Sequence, residues 1–568
     1  MSPLEQGAAL LGAGRFHEAV AVFGQALRNA PGAAEPRVGL ARAFLGTGDA
    51  WTAAAWLSDA CRIAPKRPEV WLELVRLLHA QKRGPELEPL LATAVACNPD
   101  DLPLLQAQGE ALMNLRKYEA ALAPYARLRE LEREPTRGTL LHSGFCLEQV
   151  GRVEEAAQFY RQALAVDESF MEAHVDLAGV LWRLEDFDGA LRHAQRAVEL
   201  APDHPFAVRI LGTALLGMNR VQEAEVHLRR SLELLPGFAL AEVDLSLALL
   251  LAGRLEEGWR WYEKRWNDTS RMQRPAFFVP EREWRGPATQ PLDGTILVYA
   301  EQGLGDVLQF VRYLPMLQRD GGIVRCVVQA ELISLIESSF DDVLCLTPQR
   351  NFETYYHVAL LDLPLRYGTT LHNIPADVPY LKAPPDKLAQ WHERMRPWQG
   401  KLKVGLAWSG SHVQVNNRNR AMPLSTLRGI FEHAGVQCFS LQKGDAGSYT
   451  DVEPGPGQLV DLTGEWQDFT DSAAMMQELD LVITVDTAIA HLAGALGRPV
   501  WILLGPNADW RWLLERDDSP WYPSARLFRR DFGEAREAQA SRVVQALVAW
   551  VAQMKKKAQL QLPLPDPG

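Results

Sequence analysis

Asp480-Leu-Val-Ile-Thr-Val485, Asp486-Thr-Ala-Ile-Ala-His491, an Ala/Gly-rich run to Gly497 and then Pro499-Val-Trp-Ile-Leu-Leu504 form the stretch from which the rest of the chain is read. A short apolar run, a polar turn, a segment of small residues at helical spacing and a second apolar run make the pattern of a strand–turn–helix–strand crossover. The turn sets Asp486 and Thr487 at the carboxyl edge of the first strand, where open α/β sheets bind ligands. The helix would begin with the N–H groups of Thr487 to Ile489 pointing outward, a natural anion site. His491 has two readings, a ligand-facing imidazole or a core histidine among Ala490, Leu492 and Ala493.

Similar signals spread outward from this stretch. Strands are expected at Lys403–Trp408, Val436–Leu441, Leu479–Val485 and Val500–Leu504, and upstream at Thr295–Ala300, Val324–Val328, Val343–Leu346 and Val358–Leu361. Two such sets predict two doubly wound Rossmann-like domains facing a cleft. In the upstream set, strand Thr295–Ala300 runs into Glu301-Gln-Gly303-Leu-Gly305 and a helix expected to begin at Asp306. Glycines let backbone approach a ligand closely, and Asp306 reads either as a cleft carboxylate or as a helix N-cap. After the strand at 403–408 comes Trp408-Ser409-Gly410-Ser-His-Val-Gln-Val-Asn416-Asn-Arg418-Asn-Arg420, which fits a phosphate clamp or a solvated basic loop.

The first half has a different period. Pro31, Pro65 and Pro99 recur every 34 residues, and the step returns at Pro202 and Pro236. Between them small and aromatic residues repeat at helical spacing: Gly14/Phe16/Ala19/Phe23/Ala26, Gly48/Ala53/Trp56/Ala60, Tyr118/Ala121/Tyr125, Gly151/Ala156/Tyr160/Ala163. This is a helix–turn–helix unit, and about seven or eight units are expected over residues 5–266. The fourth and fifth should be less regular, since Pro135 stands 36 residues after Pro99 and Glu168 takes the place of the next proline. One hairpin cannot bury its apolar stripe alone, so neighbours stack and leave a groove of the kind that holds peptides. The small and aromatic positions are packing; any function belongs to polar residues lining the groove. The aromatic run Gly258-Trp-Arg-Trp-Tyr-Glu-Lys-Arg-Trp266 is too dense for a solvated helix end and is expected to dock on the next domain.

Composition narrows the partners. The chain has 568 residues, with 59 Lys and Arg against 71 Asp and Glu, a net charge of −12, and 47% hydrophobic residues. That balance lacks the basic excess of a nonspecific nucleic-acid binder and has enough apolar residue for several cores. The amino-terminal residues do not resemble a secretory signal and no long charge-free apolar run occurs, so a cytoplasmic protein without a membrane span is expected. Cys61, Cys97, Cys146, Cys326, Cys345 and Cys438 are scattered singly and read as buried thiols, and no His/Cys or carboxylate cluster suggests a metal. The expected domains are repeats at 1–266, a linker at 267–290, a first lobe at 291–385, a connector at 386–400, a second lobe at 401–557 and a flexible tail at 558–568.

Two resemblances sharpen the reading. The first half resembles the tetratricopeptide repeat, an α-solenoid. The second half, through Gly303-Leu-Gly-Asp306 and Asp486-Thr-Ala-Ile-Ala-His491 over roughly 290–550, resembles GT-B glycosyltransferases of the bacterial heptosyltransferase group. The whole order, with Ser440-Leu-Gln-Lys-Gly444 and Asp509-Trp-Arg-Trp512, is similar to bacterial tetratricopeptide-repeat glycosyltransferases, a set that includes flagellin glycosyltransferases. The resemblance implies Asp306 as general base and Asp486, Thr487 and His491 along the nucleotide-sugar donor. Ala488 stands where that pattern usually has glycine.

The chemistry that follows is attack of an acceptor hydroxyl on an anomeric carbon, with Asp306 taking the proton and the anomeric configuration inverting. Negative charge on the departing nucleotide would meet Arg418, Arg420, Lys443 and the helix start at Thr487, with Gly303, Gly305, Ser409, Gly410, Asn416 and Ala488 completing the donor contacts, and with no metal or other cofactor. The expected function is transfer to a polypeptide hydroxyl, the repeats holding the acceptor protein, flagellin being one candidate. Two alternatives stand beside it: a glycosyltransferase acting on a glycan or lipid-linked acceptor, and a non-catalytic scaffold with a decayed sugar-nucleotide fold.

Overall fold

The computed structural model describes residues 1–269, 272–346, 356–410, 417–444 and 446–560. Sixteen α-helices, from Pro3–Gly12 to Leu255–Tyr262, follow one another as eight hairpins. Their second helices start at Phe16, Ala50, Gly84, Tyr118, Val153, Phe187, Val221 and Leu255, a 34-residue step that lengthens by one residue between Tyr118 and Val153 alone. The turn after Leu131 absorbs the extra residue. There Thr136 caps the next helix by accepting the Thr139 N–H at 3.1 Å, and Glu132 accepts the Thr136 N–H at 3.1 Å. The small/aromatic pattern has a direct cause. Tyr125 and Tyr160 are fully buried over glycines of the preceding helix, and a Cβ on Gly109 or Gly144 would stand 2.6 Å or 2.7 Å from the ring.

The chain divides into two compact units, Met1–Leu184 and Glu185–Gly568. The division falls inside the repeats, not at their end near 266, because the later repeats pack on the sheet-bearing part. Phe187 meets Phe532 edge to face at 5.2 Å, Glu185 accepts from Arg536 at 2.7 Å, and Asn219 donates to the Pro506 carbonyl at 2.8 Å. Trp259 lies fully buried, edge to face with Trp510 at 5.1 Å and Phe310 at 6.1 Å. The aromatic run at 258–266 therefore docks as its composition predicts. Arg265 carries its charge between Asp362 and Glu301, both at 2.6 Å. The expected linker is no free tether: Trp284 is wholly buried and its N–H donates to the His357 carbonyl at 2.9 Å.

The first lobe holds β1 (Thr295–Tyr299), β2 (Ile323–Val327), β3 (Leu344–Cys345) and β4 (Tyr356–Ala359) in the order β3-β2-β1-β4, all parallel. The second holds β5 (Leu402–Ala407), β6 (Val436–Ser440), β7 (Leu459–Asp461), β8 (Leu481–Val485), β9 (Val500–Leu504) and β10 (Ala525–Arg529) in the order β10-β9-β8-β5-β6-β7, again parallel. This is the doubly wound arrangement, and its direction of winding reverses between β5 and β8, where a crevice opens at the strands' carboxyl ends. In the four-stranded sheet the reversal lies between β1 and β4. Strands β8 and β9 are buried throughout, which explains their continuous apolar runs. The sequence reading missed β7 and β10. Both are edge strands: β7 has three residues and β10 carries Arg526 and Arg529, so neither shows the apolar run of a central strand.

Three further differences stand out. The helix after β1 begins at Leu304, not Asp306. Cys97 and Cys345 are only half-buried, unlike the other four cysteines, and Cys345 pairs in register with Cys326 on β2. The last helix extends over Arg536–Leu560. Among the described residues, no helix is long and apolar enough to cross a membrane.

Trp259→Ala should cost about 3–5 kcal/mol, as removal of a buried aromatic does, read from urea unfolding. A chain shortened to begin at Glu185 should melt cooperatively, whereas one beginning at Arg285 lacks Trp259, Arg265 and Trp266 and should not. Burial pushes the Glu301 carboxyl up to about 7 from 4.5, with Arg265 opposing. A carboxyl raised in the folded state binds its proton more tightly there, so its contribution to stability declines as pH rises from about 4.5 to about 7. Glu301→Gln should flatten the slope of the urea midpoint against pH in that window, and an unchanged slope would remove Glu301 from the account.

Candidate functional site

A cleft of about 900 Å³ opens between the two sheets and is walled by the glycine loop after β1, the ends of β5, β6 and β8, and the segment around Asp509. Its floor is a contact between helices. Leu304–Phe310 packs on Ala488–Ala495, and Gly305 permits this: a Cβ there would stand 2.8 Å from His491 Cδ2 and 3.6 Å from Ala488 Cα. The glycine serves the approach of one lobe to the other as well as any ligand. Asp306 and His491 thus face one hollow. Gly410 plays a parallel part, since its missing side chain makes room for the Arg420 guanidinium.

Asp306 sits at the third position of its helix. Gly303 is the N-cap, and its N–H donates to Asp306 Oδ2 at 2.9 Å, so the N-cap reading of Asp306 gives way to the reciprocal half of a capping box. Asp306 Oδ1 accepts from Arg511 Nη2 of the other lobe. Arg511 also donates to Asp509 Oδ1 at 2.9 Å and to Gln309 Oε1 at 2.6 Å. Burial pushes the Asp306 carboxyl up and the Arg511 charge draws it back.

Arg420 and Lys443 behave differently from Arg511. Arg420 Nη1 donates to the Asp486 carbonyl at 2.8 Å, and Lys443 Nζ donates to the Trp466 carbonyl at 2.7 Å. Neither has a carboxylate partner at ion-pair distance among the described residues, so each lines the hollow with its charge unpaired there, Arg420 acting on Asp486 only from farther off. The same cleft holds the start of the Ala488–Ala495 helix, whose N-cap Thr487 makes no side-chain capping bond and whose first N–H groups lack intrahelical acceptors. Burial, then Asp509, pushes Asp486 up to about 6, with Arg420 opposing. His491 is buried, stacked on Trp512 at 5.5 Å, with Nδ1 2.9 Å from the Tyr522 hydroxyl. Burial first, then Arg511, Arg312 and Arg420, holds its pKa well below the ordinary value, so the ring is neutral at physiological pH. It is at once a packed histidine and part of the wall.

Of the residues expected from sequence, Gly303, Gly305, Asp306, Ser409, Gly410, Arg420, Lys443, Asp486, Thr487, Ala488 and His491 line the cleft. Arg418 does not: it is exposed, and its carbonyl accepts from Arg536. One turn of helix, Asn417–Arg420, sends the two arginines in different directions. Asn416 lies outside the described residues. Sequence reasoning gave no site role to Asp468, Asp509 or Arg511. For Arg511 the signal was its place between Trp510 and Trp512, a charge embedded in aromatics that needs a buried partner.

Residues 4–68 and 147–205 match the tetratricopeptide repeat family, and residues 454–547 match glycosyltransferase family 9 (heptosyltransferase). The chain thus matches tetratricopeptide repeats in its first half and part of a family 9 glycosyltransferase domain in its second lobe. The matched part of this domain contains Asp486, His491 and Arg511. Protein FlbA of Caulobacter vibrioides is 26% identical over 486 residues, 80% of each chain. Among solved structures, a tetratricopeptide repeat protein from Parabacteroides merdae covers 42% of this chain and 94% of its own at 17% identity and a TM-score of 0.36. YrrB, described as a TPR protein with an unusual peptide-binding site, covers 33% and 95% at 19% identity and a TM-score of 0.30.

Gly305→Ala drives a methyl into a ring held by Trp512 and Tyr522, and should cost about 1–3 kcal/mol in urea unfolding, the usual penalty of overpacking. Because His491 is neutral, the pH profile of transfer should lack a limb near 6.5; a limb that disappears in His491→Gln would contradict this.

Proposed function

We propose that the cleft binds a nucleotide-sugar and that the protein is an inverting, metal-independent glycosyltransferase that moves the sugar to a polypeptide hydroxyl. The observation that carries this reading is the pair Arg420 and Lys443, which among the described residues donate to backbone carbonyls and the Asn417 amide oxygen but to no carboxylate, and which share the hollow with an open helix start and with a carboxylate 205 residues away in sequence from its partner arginine. Cations not already held in an ion pair favour an anionic ligand, and a helix start favours phosphate. Ala488 is compatible with this, since an alanine at the first helical position offers the same N–H as a glycine.

In the reaction the acceptor oxygen forms a bond to the anomeric carbon as the bond from that carbon to the phosphate oxygen breaks. Asp306 takes the hydroxyl proton, and the nucleotide leaves with the electron pair. Arg420, Lys443 and the N–H groups at 488 and 489 face the charge as it grows, the role a metal fills elsewhere. Inversion follows from a single displacement. Tetratricopeptide repeats support a protein acceptor, for which flagellin is a candidate, and a nucleotide-sugar donor together with six unpaired thiols supports a cytoplasmic setting. The net charge of −12 speaks against nucleic acid as a partner.

Arg420→Ala and Lys443→Ala should each weaken binding of a nucleoside diphosphate about tenfold or more, the loss expected for a charge-assisted hydrogen bond, in calorimetric titration of the whole chain. Asp306→Asn should lose transfer without any weakening of binding. Transfer should survive excess chelator; its abolition and rescue by a divalent ion would overturn the metal-independent mechanism.

A further inference from the structure

Asp306 is an awkward base as it stands, because the carboxylate that must accept a proton is ion-paired to Arg511. The pair joins the lobes inside the same hollow, with the Arg511 side chain 8% exposed and that of Asp306 18% exposed. Arg511 is anchored independently of Asp306. Its Nε donates to Gln309 and its Nη1 to Asp509, and the guanidinium lies over the Trp510 ring at 4.4 Å. Only Nη2 is committed to Asp306. Arg420 and Lys443 add two positive charges to the hollow, but Glu331, Asp468, Asp486 and Asp509 line it too. An entering diphosphate therefore meets a surplus of carboxylates and has one further cation within the walls.

We propose that Arg511 is an exchange switch: the diphosphate of the donor takes Nη2 of Arg511 from Asp306, so that donor binding itself frees the base. This rests on the nucleotide-sugar reading of the cleft and adds an order to it, donor before proton transfer. The empty site keeps its base paired to a cation, and the loaded site leaves the carboxylate opposite the acceptor without that partner. Binding and base release are then linked, and linkage acts in both directions.

The consequence can be read from binding alone, with the nucleoside diphosphate that most stabilises the wild-type chain among those of uridine, guanosine, thymidine, adenosine and cytidine. Asp306→Asn removes the competitor for Nη2 and should tighten binding about tenfold, a typical coupling between sites. Arg511→Gln should weaken binding by a similar factor. In the double variant Asp306→Asn/Arg511→Gln the gain from Asp306→Asn should vanish. An equal gain in both backgrounds would mean simple repulsion of the ligand by Asp306, and that result, like no gain at all, overturns the switch while leaving the donor site intact. If no diphosphate binds the wild-type chain, the donor reading itself fails. Should Arg511→Gln fail to fold, Arg511→Lys keeps both carboxylates beside a cation and completes the same cycle, the gain from Asp306→Asn again shrinking.

Discussion

Arg265, at the end of the last repeat, places a guanidinium in the protein interior between Asp362 of the first lobe and Glu301 at the carboxyl end of β1. Charges withdrawn from water are tolerable only when paired with good geometry, so this contact is less a source of net stability than a demand for one arrangement. Glu301 begins the loop that reaches Gly303, Gly305 and Asp306. Beside it, Tyr262 of the last repeat helix accepts a hydrogen bond from Gln302 at 2.5 Å, and Trp259 wedges between Phe310 and Trp510. The position of the cleft carboxylate is thus tied to the helical repeats, which explains why the later repeats share a compact unit with the sheets.

The same economy governs the approach of the two lobes. A glycine loop usually invites the thought of a phosphate lying on backbone, yet Gly305 is needed where a histidine of the other lobe comes within van der Waals reach. Small residues along Ala488–Ala495 let that helix lie close to the neighbouring lobe, and Tyr522, Trp512 and His491 fill the space around it. Side chains around that contact are mostly aromatic or neutral, with one buried charge among them: Arg312 of the first lobe donates to the Trp521 carbonyl at 2.8 Å beside the Tyr522 ring. In the wall of the hollow cations of two kinds coexist: Arg511 with carboxylates already on it, and Arg420 and Lys443 with none on them among the described residues. An anionic ligand meets both kinds, and their unequal prior commitments make binding a redistribution of partners rather than a simple addition.

The fold was largely legible because its main signals are local. A 34-residue period survives a one-residue insertion near Thr136, since a turn can absorb it without altering the faces of the flanking helices. The central strands announce themselves as apolar runs because both their faces are covered; β7 and β10 escape notice because edge strands need no such run. Much of the site was legible for a related reason: residues at the carboxyl ends of β1, β5 and β8 share one crevice once the winding order is known. Arg418 and Arg420 show the limit. Two residues apart on a short helical turn, they point in different directions, and no pattern of spacing said which one enters the hollow.

What the sequence by itself determined is the alternation of elements: helical hairpins set by small residues facing aromatics, then parallel strands set by buried apolar runs, then the turns that carry Asp306, Asp486 and His491. What only the tertiary structure decided is the pairing of charges across distant segments. Arg265 meets Glu301, Arg511 meets Asp306, and Arg420 and Lys443 donate to the Asp486 and Trp466 carbonyls. The reason is physical: hydrophobic period is a property of neighbours along the chain, whereas the partner of a buried charge is whichever opposite charge the completed packing leaves within reach, and that has no period to read.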